Sequence, residues 1–117
     1  MSMTIERHES RPRMSQVVIH NGIVHLAGQV GSDKTASVAD QTRQTLEEID
    51  RLLALAGTDK SKLITALVWL ADMRDYDAMN EVWDAWTAEG CAPARACTEA
   101  KLAPGWIVEI MVTAAVE

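Results

Sequence analysis

Apolar and polar residues change their rhythm three times along this chain. In QVVIHNGIVHLAGQV, residues 16–30, two β-branched runs flank Asn21-Gly22. That dipeptide tolerates the positive φ of a type I′ turn, so the stretch predicts a β-hairpin. Gly28 follows the second strand, where a glycine permits a bulge or a close approach of backbone to a ligand. Residues 1–15 are polar and irregular, with a short strand expected around Thr4–Arg7. From Ser37 the period becomes helical. Ser37 with Asp40 three positions on is a near capping box. Val38, Thr42, Leu46, Ile49, Leu53 and Ala56 then form one stripe, and Gly57 is a suitable stop.

LITALVWLA, residues 63–71, is apolar throughout and predicts a strand buried on both faces. A second helix is expected from Tyr76 to Glu89, with a stripe of Tyr76, Met79, Trp83 and Trp86. Gly90 ends it and Pro93 blocks its continuation. ARACTEA and WIVEIMVTAAV predict the last two strands, with Pro104-Gly105 in the turn between them. In the second, Ile107, Glu109 and Met111 alternate with Val108, Ile110 and Val112. The predicted order is β-β-α-β-α-β-β. Two helices can cover one face of such a sheet. An apolar second face then calls for a partner, and a homo-oligomer is the simplest one.

Composition narrows the function classes. A length of 117 residues predicts one domain, 1–117. The net charge of −6, with scattered basic residues, argues against nucleic acid as a partner. The two cysteines, Cys91 and Cys97, fit neither a disulfide framework nor a zinc pattern. The first residues lack the apolar core of a signal peptide. The longest apolar run, Ala66–Ala71, is far too short for a membrane span. A cytoplasmic location without a membrane partner is expected.

Little of the sequence suggests chemistry. His8, His20 and His25 lack metal-ligand spacing, and no metal is expected. The tryptophan stripe reads as core. Asp72, Asp75 and Asp77 read as the solvated start of a helix rather than a calcium loop. Arg95 and Glu109 remain. An arginine near a strand start is more often a surface or ion-pair residue, and Glu109 can be read as an outward strand residue. Against that, Glu109 is an acid inside the most apolar strand, expected among Ile107, Ile110 and Cys97. Arg95 is flanked by small residues that leave room for bidentate capture of a carboxylate.

From about Ser15 onward the chain resembles the reactive intermediate deaminase (Rid) family, also called the translation-inhibitor or L-PSP endoribonuclease family. The resemblance rests on VVIHNGIVHLAGQV, QTRQTLEEIDRLLALAG, LADMRDYDAMNEVWDAW and, most specifically, PARACTEA followed by VEI. It implies a chorismate-mutase-like α/β (α+β) fold, with three copies forming a central barrel and clefts between subunits. It also implies hydrolysis of 2-imino acids and their enamine tautomers to 2-keto acids and ammonia, without a cofactor. By the same resemblance, Arg95 grips the substrate carboxylate and Glu109 positions water. Cys97 lines the cleft without acting as a covalent nucleophile, and the backbone at Gly28 approaches the ligand. Two positions depart from the best-known deaminases. Ala27 stands where they have Ser, and Met14 where they have Tyr. These substitutions keep alive a non-enzymatic alternative, in which the cleft binds a small carboxylate such as a keto acid. Ribonuclease activity, the older family label, is disfavoured by the acidic charge and the lack of a His pair.

Overall fold

The structure, a computed structural model, describes residues 4–117. Six strands form one sheet: β1 (Glu6–Ser10), β2 (Ser15–His20), β3 (Ile23–Leu26), β4 (Leu63–Leu70), β5 (Ala94–Glu99) and β6 (Val108–Ala115). Two helices, α1 (Val38–Leu55) and α2 (Tyr76–Trp86), interrupt them, with short 3-10 turns at Lys60–Lys62 and Met73–Asp75. The spatial order of strands is β1-β2-β3-β6-β4-β5. All neighbours are antiparallel except β4 and β5, which run parallel through the α2 crossover. This is a mixed α+β fold with two helices on one face, as the pattern predicts, and the sheet includes an N-terminal strand that the order β-β-α-β-α-β-β left out.

That strand is β1. It lies later than the expected Thr4–Arg7 and pairs with β2, with Arg7 opposite Val18 and Ser10 opposite Ser15. Its mixed polar sequence blurred its bounds, because an edge strand needs only one hydrogen-bonded neighbour. A salt bridge compensates for its lack of apolar anchors. Arg51 of α1 donates to both carboxylate oxygens of Glu9, at 2.8 and 3.0 Å. Asn21 and Gly22 take φ of 52° and 76°, the positive values the hairpin turn requires.

The core lies between the helices and one sheet face. Leu46, Ile49, Leu52 and Leu53 of α1 meet Val24 and Leu26 of β3 and Val108, Ile110, Val112 and Ala114 of β6. Ser37 caps α1 by accepting the Asp40 amide proton. Ile49 is fully buried, and Ile49→Ala is expected to cost about 2–5 kcal/mol in denaturant unfolding. β4 departs from expectation. Ala66, Val68 and Leu70 are buried, but Leu67 and Ile64 are each 39% exposed. The strand is therefore covered on one face only, and its other face carries Thr65, Leu67 and Trp69. The second helix is also shorter than expected. It stops at Trp86, because Thr87 turns to an extended conformation.

Candidate functional site

Glu109 is the second residue of β6 and points away from the helices, since Val108 and Ile110 on either side of it are fully buried. Its cross-strand neighbour is Trp69. Gln41 fixes the approach to this strand. Its side chain accepts from the Ile107 amide at 2.9 Å and donates to the Gly105 carbonyl at 3.1 Å. On the other side, Gln29 and Ile110 exchange two backbone hydrogen bonds, of 2.8 and 3.0 Å. This bridge lays the segment after β3 beside β6 and brings Gly28 against Glu109. A Cβ added at Gly28 would overlap Glu109 Oε2 and lie 3.2 Å from its Cδ. The missing side chain is the space the carboxylate occupies. The expected neighbours of Glu109 are thus corrected. Ile110 faces the core and Cys97 lies on the other side of the sheet.

Ala27 and Met14 lie at the same end of the sheet. The Ala27 amide donates to the Gln16 carbonyl at 3.0 Å, and the Arg11 amide donates to the Met14 carbonyl at 2.7 Å across the Pro12-Arg13 turn. Met14 is 39% exposed. Next to Gly28 opens a cavity of about 600 Å³ that reaches α1 at Gln44, Glu47, Glu48 and Arg51.

Arg95 and Cys97 sit elsewhere. Both lie on β5, the free edge strand, and their Cα partners on β4 are the buried residues Ala66 and Val68. Their side chains therefore lie on the helix side of the sheet. The Arg95 guanidinium rests on the Trp83 ring, 5.1 Å from its centroid, and Nη1 approaches Met79 Sδ at 3.9 Å. This corrects the expected setting of the arginine. Ala94 and Ala96 alternate to the opposite face, so the room beside Arg95 does not come from them. Aromatic stacking on Trp83 holds the cation. Among the described residues Arg95 has no carboxylate partner, so most of its donors are free. Burial pushes the Cys97 thiol up, an effect that nearby Arg95 only partly offsets. At neutral pH it stays a thiol.

One chain thus holds two half-sites. Met14, Ala27, Gly28 and Glu109 gather at one end of the sheet. Arg95 and Cys97 lie two strands from Glu109 and on the opposite face, separated by the sheet itself. No small molecule can touch Arg95 and Glu109 of the same chain at once.

The model of the family described as Endoribonuclease L-PSP matches residues 4–116. The chain belongs to that family, which is the Rid family. A RutC family protein of Haemophilus ducreyi is 50% identical over 113 residues, 96% of this chain and 97% of that protein. The rat protein named 2-iminobutanoate/2-iminopropanoate deaminase is 31% identical over 82% of this chain and 74% of its own length. A crystal structure of NMB1025 from Neisseria meningitidis, a member of the YjgF protein family, superposes with a TM-score of 0.95 at 46% identity. It covers 98% of this chain and 97% of that one.

For a Rid protein, two polar residues near these half-sites went unnoticed in the sequence. Asn80 Oδ1 is buried with no hydrogen-bond partner among the described residues. It sits beside Met79, which touches Arg95, and an orphaned acceptor of this kind is costly unless a donor arrives. An Asn inside a helix, where its propensity is low, was the available signal. Gln29 is 5% exposed. Its Nε2 donates to Gln16 Oε1 at 2.7 Å and to the Ala27 carbonyl at 3.0 Å. Nothing in its sequence context set it apart.

Proposed function

We propose that this protein hydrolyses 2-imino acids to 2-keto acids and ammonia at sites built between copies of the chain, with three copies closing into a ring. Arg95 and Cys97 come from one copy, and Gly28 and Glu109 from the next. One observation carries the reading. Arg95 is a pre-positioned cation without an internal acid, on a free sheet edge, and only a second chain can bring Glu109 to it. The rat relative named as an imine deaminase supports the chemistry.

Arg95 binds the substrate carboxylate through two parallel charge-assisted hydrogen bonds. Glu109 orients a water toward the imine carbon and accepts a proton as the C–O bond forms. It passes that proton to nitrogen, giving a carbinolamine. A second transfer, from the new hydroxyl to nitrogen, breaks the C–N bond and frees ammonia. Both water protons end on nitrogen and the oxygen stays on carbon. Positioning supplies much of the gain, since the imine is already reactive. Cys97, held as a neutral thiol, lines the cleft and forms no bond.

A second reading has its own support. Met14 and Ala27 bring no polar group to the Glu109 half, which suits a module that binds a keto acid without turning over an imine. A coupled assay separates the two. An amino-acid oxidase generates imines, semicarbazide traps them, and the protein is added. Hydrolysis lowers the semicarbazone signal, and Arg95→Ala restores it. Keto-acid binding by calorimetry with no change in semicarbazone would favour the module.

A further inference from the structure

The Arg95 half-site holds an unsatisfied polar atom. Asn80 Oδ1 is buried and has no hydrogen-bond partner among the described residues. The helix fixes which way that atom lies. Ala78, Val82 and Ala85 of α2 line a groove with Ala39 and Arg43 of α1. Met79 and Trp83 are buried against the sheet. At about 3.6 residues per turn, Asn80 then falls on the flank away from α1, the flank beside the edge strand β5. Met79, directly before it, and Trp83, three positions on, are the side chains that hold the Arg95 guanidinium. Of the β5 side chains facing the helices, Glu99 accepts from the Met73 amide at 2.9 Å and has no proton to give. Cys97 is a weak donor. Arg95 is the strong one, and its Nη1 reaches only the Met79 sulfur, a weak acceptor, at 3.9 Å.

We propose that Asn80 is a positioning residue for Arg95: when a substrate carboxylate fills the cleft, the guanidinium exchanges the Met79 sulfur for Asn80 Oδ1 and presents its fork to the carboxylate. The proposal rests on carboxylate capture by Arg95, which imine hydrolysis and keto-acid binding share. Its physical basis is a change in solvation. In the open cleft, water serves the guanidinium donors that the protein does not. A bound carboxylate takes two of them and excludes water, and a desolvated donor left unpaired is costly. The buried amide oxygen supplies the partner, and its own unmet need ends in the same step. A bond to one end of the planar guanidinium also fixes the direction of the other. Asn80 thus destabilises the empty protein and strengthens the loaded one.

The test uses Asn80→Ala and Asn80→Leu, both to good helix formers. Leucine is close to asparagine in shape and fills the space that alanine leaves. The readouts are Tm without ligand, Kd for the keto acid of leucine by calorimetry, and kcat and KM for the leucine-derived imine. Both variants are expected to match or exceed the wild-type Tm, since they remove an orphaned acceptor. Kd and KM are expected to rise together about tenfold, with kcat within about threefold, because the carboxylate is held alike in the ground and transition states. An unchanged Kd in both variants would overturn the proposal. So would a lower Tm in both, which would mean that Oδ1 already has a partner in the resting protein. If wild type binds the keto acid but hydrolyses no imine, the deaminase reading falls and the Kd comparison still decides this proposal. If wild type does neither, carboxylate capture by Arg95 fails and the proposal with it.

Discussion

The β5 edge and the β3–β6 end of the sheet fix their polar side chains by opposite means. At β5 the arginine is held by what is present, the Trp83 ring and the Met79 sulfur. At β6 the glutamate is held by what is absent, the side chain that Gly28 lacks. The first arrangement tolerates small shifts, because stacking is broad in geometry. The second does not, because a single added methyl group claims the space of the carboxylate. The difference shows where each half is vulnerable. The edge fails when its guanidinium is lost, and the interior end fails when its space is lost.

Substitutions can break or sharpen that contrast. The largest effect is expected from Arg95→Ala, with kcat/KM for imine hydrolysis falling about 10³-fold or more. Arg95→Lys keeps the charge without the fork and should recover little of it. A wild-type rate for Arg95→Ala would remove β5 from the site, and a wild-type rate for Arg95→Lys would show that charge suffices without the fork. Gly28→Ala comes next. The displaced Oε2 is the end of a flexible side chain, so the fold should survive, with unchanged circular dichroism and a fall in kcat of about 10–100-fold. An equal loss in Ala27→Gly would show that the effect is not specific to the space of Glu109.

Smaller effects follow. Cys97→Ser is expected to stay within about threefold of wild type, since burial keeps the thiol neutral and non-nucleophilic. Because its pKa is raised, the alkylation rate of Cys97 should begin to climb only above the ordinary thiol range. Rapid alkylation at pH 7 would contradict this. The smallest effect belongs to the β1 tether. Arg51 holds the Glu9 carboxyl below its usual range. A depressed folded-state pKa stabilises above the unfolded value and is lost as pH falls through the folded one. Glu9→Gln should therefore lower Tm slightly at pH 7, and the gap should close as the pH drops below the carboxylate range. A gap that widens in acid would have the wrong sign.

Much of the fold was legible because its signals are local. Asn21-Gly22 encodes its turn by backbone sterics, Ser37 encodes a cap, and the stripe from Val38 to Ala56 encodes one buried face. A strand was expected at Thr4–Arg7, but β1 runs on to Ser10, because its pairing with β2 and the tether of Glu9 to Arg51, 42 positions away, are not local signals. The helix end at Trp86 was missed because the apolar pattern runs on past the point where the backbone turns. The chemistry-bearing residues Arg95 and Glu109 stood out as charges in apolar or small surroundings. Their placement on opposite faces depends on strand order and on the parallel pairing of β4 with β5, which no local pattern reveals. Gln29 and Asn80 were silent because their significance is the hydrogen bonds they lack.

The measurement that tests the split site most directly is subunit complementation. Arg95→Ala and Glu109→Gln proteins, each inactive alone, are co-refolded in equal amounts and assayed for imine hydrolysis. If each site draws Arg95 from one copy and Glu109 from another, random mixing gives about one quarter of wild-type activity, the chance that a site receives both intact halves. If the mixture remains as inactive as its parents, Arg95 and Glu109 do not meet across a subunit boundary and the account fails.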